Sequence, residues 1–384
     1  MVEAVRQGQS LRSVAKAFGV SLCALQHWVE RAEGEALDSV HWNNNKPGPK
    51  QAPRRCSEEF EDKVLEVRHY LREQDALGYY GAAAVREHLL ELGLGEVPSE
   101  RTINRILERR GAFDGTRRKR FPPPPAGWYL PDVAQGDAEV DIWDRVEGLV
   151  IRAGPQVEVL NVTSVHGRLV GSWPKEGFTA ALARKCLLEH WQRWGLPDYA
   201  QFDNDTLFQG PHQHADAIGS VSRLCLSLAI VPVFVPPAEF GFQSAIENSN
   251  GDWQTHVWQR FLHERLAGLV AQSDLYTTRH QARTAWRRET APERRPSPDN
   301  WLLDLQAHPS GQMVFLRRSN DHGEVSFLGH TFSVDAHWTQ RLVRCQVHLD
   351  EGLIRLFGLR RRTPQVQPLL AELPYQLPRR RFRE

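Results

Sequence analysis

Residues 199–210 read YAQFDNDTLFQG and combine a short apolar segment with a polar turn in the central part of the chain. A short apolar segment ends at Asp203, and the polar residues after it open a turn. The pattern predicts a strand whose end carries an acidic side chain. Asp205 is the alternative in the same turn, and we favour Asp203 because it follows the strand directly.

A second acidic residue lies upstream, in a stretch of alternating polar and apolar residues. Residues 138–143 read AEVDIW, which is typical of a strand interrupted by Asp141. Two neighbours compete for the same role. Asp137 precedes the clearest part of the strand, and Asp144 would point to the opposite side of the strand from Asp141. We favour Asp141 on this pattern.

A third acidic residue stands at the start of a predicted helix. Residues 244–261 read SAIENSNGDWQTHVWQRF, and Glu247 lies near the beginning of this stretch. Asn250 and Gln254 follow Glu247 about one and two helical turns later. Both are therefore candidate DNA contacts.

Three carboxylates in these settings could hold two divalent cations around a phosphodiester. They are separated by 62 residues (203 minus 141) and by 44 residues (247 minus 203), so only folding can bring them together. Mg²⁺ or Mn²⁺ suits a site of Asp and Glu without Cys or His, because these ions favour carboxylate and water oxygens. Two ions about 4 Å apart activate the attacking oxygen and stabilise the leaving oxygen. The predicted ligands are Asp141, Asp203 and Glu247.

Strands and helices surround these residues between about 136 and 265. Two runs rich in β-branched residues, VEGLVIRA and QVEVLNVTSV, can form a hairpin across Gly154 and Pro155, and GRLVGSWP supplies a third strand. Helices and strands then alternate as far as the helix of Glu247. Three antiparallel strands followed by this alternation predict a mixed α/β core.

The acidic motifs resemble those of a known family over roughly residues 136–265. FDNDTLFQG looks like the strand-end motif of the integrase-core, DDE-type transposases, and VPVFVPPAEFGFQSAIENSNG looks like the stretch that leads to their catalytic Glu. The resemblance to bacterial insertion-sequence transposases and retroviral integrases implies an RNase H-like catalytic core. It also implies that Asp141 bridges two metal ions, with Asp203 on one ion and Glu247 on the other.

Residues 1–40 are predicted to form a helix-turn-helix DNA-binding domain. Leu11 to Phe18 have helical spacing, Gly19 supplies a turn, and Ser21 can cap a second helix. In this motif the second helix enters the major groove of DNA. An ordinary helical hairpin is the alternative. The candidate DNA contacts on the second helix are Gln26, His27 and Arg31.

A second helical DNA-binding domain is predicted over residues 56–112. Its last helix lies in SERTINRILERRG (99–111), and its apolar residues Ile103, Ile106 and Leu107 should face inward. Basic and polar side chains on the opposite face suit contacts to DNA phosphates. These candidate contacts are Arg101, Asn104, Arg105 and Arg109.

Basic residues are gathered into runs, although the formal net charge is only +1. The run Arg117, Arg118, Lys119 and Arg120 lies in a basic, proline-rich linker at 113–135. Such runs are typical of nucleic-acid binders, and a solvated linker is the alternative. We expect double-stranded DNA as the partner, both transposon ends and target, bound by a homo-oligomer.

The C-terminal part reads as short strands separated by turns. It predicts a small β-barrel at 305–360 and a basic, disordered tail at 361–384. The five cysteines form no CxxC pair, and no apolar stretch reaches the roughly 20 residues of a membrane helix. There is no secretory signal pattern. We therefore expect a bacterial cytoplasmic, nucleoid-associated protein with no membrane partner.

These features together predict a DNA transposase or integrase. It would bind the ends of an element, hydrolyse them to free 3′ hydroxyls, and transfer those ends into target DNA. Two alternatives remain open. One is a domesticated, non-catalytic DNA-binding protein that keeps the fold, and the other is a structure-specific nuclease on the same fold, which would cut strands but never join them.

Overall fold

The computed structural model describes residues 1–42, 56–113, 124–152, 154–211, 214–237, 239 and 241–383. The predicted basic run from Arg117 to Arg120 lies outside these residues. The chain forms two compact units, Met1–Asp62 and Lys63–Glu384. Within the described ranges, no helix has both the length and the apolar character needed to cross a membrane. The division between the units falls inside a helix, so the domain boundaries expected from the sequence stay predictions.

The first unit contains α1 (Val2–Arg6), α2 (Leu11–Phe18) and α3 (Leu22–Arg31). The Ser10 and Ser21 side chains cap α2 and α3 by accepting backbone N–H groups at 3.2 Å. Gly19 ends α2 at a φ of 66°, in the left-handed region that favours glycine. Buried apolar contacts join the two helices. The helix, glycine turn and capped helix expected from the sequence are confirmed.

The remaining helices are α4 (Glu58–Gln74), α5 (Ala82–Glu91), α6 (Glu100–Arg109), α7 (Pro131–Gln135), α8 (Ala180–Trp194), α9 (Thr206–Gln209), α10 (Ser220–Ser227), α11 (Ser244–Trp253), α12 (Leu266–Arg283) and α13 (Ala285–Arg288). A π-helical turn, Gln254–Trp258, continues α11. The strands are β1 (Val140–Val150), β2 (Gln156–Ser164), β3 (Val170–Lys175), β4 (Tyr199–Phe202), β5 (Val231–Phe234), β6 (Gln312–Arg318), β7 (Glu324–Phe327), β8 (His330–Ser333), β9 (Leu342–His348), β10 (Leu353–Gly358) and β11 (Leu369–Pro374).

A nine-stranded mixed sheet forms the centre of the second unit, in the order β11-β10-β9-β6-β5-β4-β1-β2-β3. β1, β2 and β3 are antiparallel neighbours, whereas β4 is parallel to both β1 and β5. The mixed α/β core and the hairpin between β1 and β2 are therefore confirmed. One apolar cluster lies on the face covered by α8 and α10, and it contains Trp143 and Trp191. Another contains Ile142 and Ile246, on the face covered by α11.

The C-terminal strands do not build the separate β-barrel that the sequence predicts. β6 pairs with β5 in parallel, and β9, β10 and β11 continue the same sheet outward. Met313 and Phe315 of β6 share an apolar cluster with α8 and α10. The tail prediction is also wrong in part, because β11 lies within it. Short alternating strands can pair with any free sheet edge, so their pattern does not reveal which edge they join.

The helices before the sheet pack against the helices that follow it. Asp75, just after α4, accepts a hydrogen bond from Arg279 of α12 at 2.9 Å. The Tyr79 hydroxyl donates to Asp252 of α11 at 3.3 Å. Residues 63–112 of the second predicted helical domain therefore belong to the same compact unit as the acidic residues and pack within it.

Candidate active site

The pairing of two parallel strands places Asp144 level with Asp203. Ile142 of β1 and Gln201 of β4 are partners in the parallel ladder. Asp144 and Asp203 each follow two residues later, so extending this register brings them to the same level. Because side chains alternate along a strand, both also point to the same side of the sheet. Asp203 stands at the carboxyl end of β4, the edge at which open α/β sheets bind their ligands.

Helix α11 brings Glu247 to the same side of the sheet. Ile246 anchors the first turn of the helix in the apolar cluster that also contains Ile142. One turn after Glu247, Asn250 donates a hydrogen bond from Nδ2 to Oδ2 of Asp144 at 2.7 Å. Residues three apart share a helix face, so Glu247 lies on the face that contacts Asp144. Its side chain is exposed.

The charges of Asp203 and Glu247 act on Asp144. Burial raises the pKa of Asp144 to about 6, and the negative charges of Asp203 and Glu247 add to this effect. Burial also raises the pKa of Asp203, and the nearby carboxylates of Asp205 and Glu147 contribute in the same direction. Such like-charge crowding at a partly buried position is typical of functional sites. The arrangement favours an added positive charge at this position.

Asp141 lies on the opposite side of β1 and is fully buried. Its Oδ1 and Oδ2 accept hydrogen bonds from Nη1 and Nη2 of Arg294 at 2.9 and 2.7 Å, and Nε1 of Trp191 donates to Oδ2 at 3.1 Å. Burial opposes the ionisation of Asp141, but the charge of Arg294 still lowers its pKa. A carboxylate held this way cannot join Asp203. The prediction that places Asp141 beside Asp203 is therefore wrong, because Asp141 and Asp144 are three positions apart and alternation puts them on opposite sides of β1. Which carboxylates bind a metal stays a prediction.

Asn250 is also placed differently from the prediction. It is buried, with 8% of its surface exposed, and its side-chain amide is hydrogen-bonded to protein groups, whereas the prediction places it at DNA. Its Oδ1 accepts a hydrogen bond from Asn161 of β2 at 2.8 Å, and Asn161 is the ladder partner of Asp144. Asn250 therefore links Asp144 to the neighbouring strand. Asn161 was missed in the sequence, although a single amide within the apolar run VLNVTSV was a usable signal.

Asp205, the alternative to Asp203, has other partners. Its Oδ1 caps α9 by accepting the backbone N–H of Leu207 at 2.9 Å, and its Oδ2 pairs with Arg145 at 2.6 Å. Arg145 also pairs with Glu158 at 2.9 Å. The backbone N–H of Asp205 in turn donates to Oδ1 of Asp203 at 3.0 Å. Asp205 thus fixes the turn that carries Asp203.

The predicted DNA contacts fall into two groups by exposure. On α3, Gln26 and His27 are exposed, and Arg31 is half-buried with a hydrogen bond to the Trp42 carbonyl at 3.5 Å. Gln254 is half-buried in the π-helical turn. On α6, the predicted inward-facing residues are buried and the polar face is exposed, comprising Arg101, Asn104, Arg105 and Arg109. Contact of these residues with DNA stays a prediction.

The donor set of Asp144, Asp203 and Glu247 consists of carboxylate oxygens, which are the ligands that Mg²⁺ and Mn²⁺ favour. Across the described ranges, no group of three His, Cys, Asp or Glu side chains is arranged to hold a metal ion. The donors are therefore of the right chemical type, but protein side chains alone do not enclose an ion. Mg²⁺ is commonly held by one or two carboxylates together with waters and substrate phosphates, which fits an open arrangement of this kind.

No protein-family model and no curated protein matches the chain. Among solved structures, the BIV integrase catalytic core domain is 17% identical, covers 34% of this chain and 81% of its own, and has a TM-score of 0.26. A simian T-cell lymphotropic virus intasome in complex with PP2A regulatory subunit B56 gamma is 14% identical, with coverages of 70% and 87% and a TM-score of 0.34. The dimeric HTLV-2 integrase catalytic core domain in complex with magnesium is 13% identical, with coverages of 38% and 83% and a TM-score of 0.26. TM-scores this low assign no activity to this chain.

Proposed function

We propose that the chain is a DNA transposase or integrase, a DDE polynucleotidyl transferase with an RNase H-like core. The observation that carries this proposal is the convergence of Asp144, Asp203 and Glu247 on one side of the sheet. They come from a strand, a strand end and the first turn of a helix, which is the order that the sequence resemblance implies. The proposal takes Asp144 in place of Asp141.

In this proposal the three carboxylates hold two divalent cations, Mg²⁺ or Mn²⁺. When bound, such ions lower the pKa of an attacking water or 3′ hydroxyl and neutralise charge on the leaving oxygen. The rigid neighbours of Asp144 keep its carboxylate in place, because Asn250 binds one of its oxygens at 2.7 Å. The exposed position of Glu247 leaves room for a DNA strand on the outer side of the site.

The exposed faces of α3 and α6 would supply most of the DNA binding. Arg101, Arg105 and Arg109 on α6 would contact phosphates, which position a duplex without reading its sequence. Gln26 and His27 on α3 would reach base edges in the major groove. Two element ends must be joined in one reaction, so a homo-oligomer assembled on DNA belongs to the proposal, as does a bacterial cytoplasmic, nucleoid-associated location.

The test is an assay of the purified chain on labelled duplexes that carry the inverted repeats flanking its gene. With Mg²⁺ or Mn²⁺, we expect nicking at the repeat end and joining of the freed 3′ end to a second duplex. Asp203→Asn should abolish both products and leave duplex binding unchanged. Absence of any product from the wild-type chain would favour the domesticated, non-catalytic alternative. Cleavage without joining under all conditions would favour the nuclease.

A further inference from the structure

Arg145 is a cation that lies among acidic side chains next to the candidate active site. It follows Asp144 on β1, and alternation along the strand turns its side chain to the opposite side of the sheet. Its guanidinium lies between 2.6 and 2.9 Å from three carboxylates, which belong to Glu147, Glu158 and Asp205. Only 18% of its side-chain surface is exposed. The fold therefore holds one arginine side chain in place by several ion pairs.

The guanidinium of Arg145 connects three neighbouring strands of the sheet. β1 lies between β4 and β2. Nη1 donates a hydrogen bond to Oε2 of Glu158 on β2 at 2.9 Å, and Nη2 donates to Oδ2 of Asp205, just after β4, at 2.6 Å. Because the two nitrogens belong to one planar group, they fix the direction in which each carboxylate is held. Lysine has a single side-chain nitrogen and cannot reproduce this geometry.

Asp205 connects Arg145 to Asp203. Oδ1 of Asp205 accepts the backbone N–H of Leu207 at 2.9 Å, so both oxygens of the Asp205 carboxylate have partners. The backbone N–H of Asp205 donates to Oδ1 of Asp203 at 3.0 Å. The place of the Asp205 backbone therefore determines where the Asp203 carboxylate is held, and Arg145 anchors Asp205 from the neighbouring strand.

We propose that Arg145 is a positioning residue, which fixes the turn after β4 so that the carboxylate of Asp203 is oriented for a divalent cation. This inference rests on the proposed function, in which Asp203 is a metal ligand. Groups that orient a metal ligand commonly change the metal affinity by about 10–100-fold. Arg145 acts through Asp205 and is not itself a ligand.

The sign of the effect on metal affinity separates positioning from charge. A cation near a carboxylate site repels a divalent ion, so removal of the Arg145 charge should by itself tighten metal binding. Loss of the anchor should instead weaken metal binding. Arg145→Lys adds a second distinction. It keeps the charge, so a charge effect predicts no change, whereas positioning predicts weaker binding because the two-nitrogen geometry is lost.

The first measurement is hydrogen exchange of the backbone amides in residues 203–209, in the full chain without metal. Arg145→Met should speed the exchange of the Asp205 and Leu207 amides by at least about tenfold, as loss of a charge-assisted hydrogen bond provides. Arg145→Lys should change the exchange in the same direction. Unchanged exchange in either folded variant refutes the proposal.

Arg355→Met is the matched control for this measurement. Arg355 on β10 also pairs with two carboxylates, Glu351 at 2.7 Å and Glu372 at 2.8 Å. β9, β6, β5 and β4 separate β10 from β1. The control should leave exchange in residues 203–209 unchanged. Faster exchange there in Arg355→Met would show that loss of any ion pair on the sheet loosens the turn, and this would overturn the specific role of Arg145.

The second measurement is Mn²⁺ binding to the same proteins, followed by electron paramagnetic resonance of the free ion. Arg145→Met should raise the Kd by at least about tenfold, with a smaller rise in Arg145→Lys and none in Arg355→Met. Tighter binding in Arg145→Met would overturn the proposal in favour of a charge effect. Absence of Mn²⁺ binding by the wild-type chain would count against the proposed function, whereas the exchange measurement would still decide whether Arg145 holds the turn.

A double variant tests whether Arg145 acts through Asp205. Asp205→Asn removes the ion pair, and its amide oxygen can still cap α9. This variant should weaken Mn²⁺ binding to about the same extent as Arg145→Met. The double variant should be no weaker than either single one, because both substitutions remove the same anchor. Additive weakening would show that the two residues act separately, and Mn²⁺ affinity restored to the wild-type value would show a charge effect. Either result would contradict the proposal.

Discussion

Two aspartates three residues apart on one strand meet opposite electrostatic surroundings. Asp141 is fully buried and forms two hydrogen bonds with the guanidinium of Arg294. Asp144 is partly buried, and the negative charges of Asp203 and Glu247 raise its pKa further. Arg294 compensates the negative charge of Asp141. The surroundings of Asp144 instead favour the binding of a positive charge. The comparison teaches that the charge facing a buried acid, more than its place in a strand, separates an acid that the fold neutralises from one that can still bind a cation.

The largest expected effect is on catalysis through Asp144. Asp144→Asn should lower DNA cleavage and joining by about a thousandfold or more, as loss of a central charged group does. The unfolding temperature should stay the same or rise, because an amide keeps the contact with Asn250 and removes like-charge repulsion. Activity assays and thermal unfolding of the same preparation check both parts. Full activity in this variant would remove Asp144 from the site.

Asp141→Asn should act mainly on stability. The substitution leaves the guanidinium of Arg294 buried without its carboxylate, which typically lowers the free energy of unfolding by about 3–5 kcal/mol. The double variant Asp141→Leu with Arg294→Met removes both charges and should recover much of this loss. Chemical unfolding of the three proteins measures the difference. A stable Asp141→Asn protein that has lost all activity would contradict the assignment of roles.

The environment of Asp141 also predicts a pH dependence of stability. Burial lowers the pKa of His190, which lies beside Asp141, to about 4. Between pH 6.5 and 4 the unfolded chain binds a proton at this residue and the folded chain does not, so stability falls as the pH decreases through this window. The loss reaches about 3 kcal/mol for this group.

A matched variant isolates this contribution. The pKa of His280 is also lowered to about 4, again by burial, so it adds a similar dependence to the wild-type chain. His190→Phe should remove only the contribution of His190 to this pH dependence. The contribution is the difference between the free energies of unfolding of the wild-type chain and the variant, followed from pH 6.5 to pH 4. Parallel curves would show that His190 is protonated in the folded chain.

The smallest expected effect concerns the hydrogen bond that positions Asp144. Asn250→Leu should raise the Mg²⁺ concentration for half-maximal activity by about tenfold, as loss of a group that orients a metal ligand commonly does. Asn250→Asp should show the same raised Mg²⁺ requirement, because a carboxylate cannot donate a hydrogen bond to Asp144. Metal titrations of DNA cleavage measure the effect. A lower maximal rate at an unchanged Mg²⁺ requirement would indicate a different role for Asn250.

Much of the fold could be predicted from local sequence. The β1–β2 hairpin, helix α8, and the pair α2 and α3 follow from periodicity, β-branched residues and capping serines, because these signals act over a few residues. The C-terminal strands could not be placed in the same way. Their pattern indicates strands. However, β6 pairs with β5, which is distant in the sequence, and nothing in the residues of β6 specifies β5 as its partner.

The site shows the same division. Asp203 and Glu247 could be chosen because each follows a strong local signal, a strand end and a helix start. Asp144 could be recognised only as a competitor of Asp141, since both lie on the strand and alternation merely puts them on opposite sides. Asn250 was predicted to face DNA because helical spacing places it on the same face of the helix as Glu247. That spacing does not show that Asp144 and Asn161 lie against its side chain.

Local sequence signals suffice to predict that strands and helices alternate here, and that acidic residues lie at a strand end and near a helix start. Tertiary structure alone decided which side of β1 faces the helix that carries Glu247. That choice depends on α11 covering one face of the sheet and on Arg294 reaching the other face from 153 residues away. Charges are neutralised by neighbours in space, and the chain sets these neighbours only once it has folded.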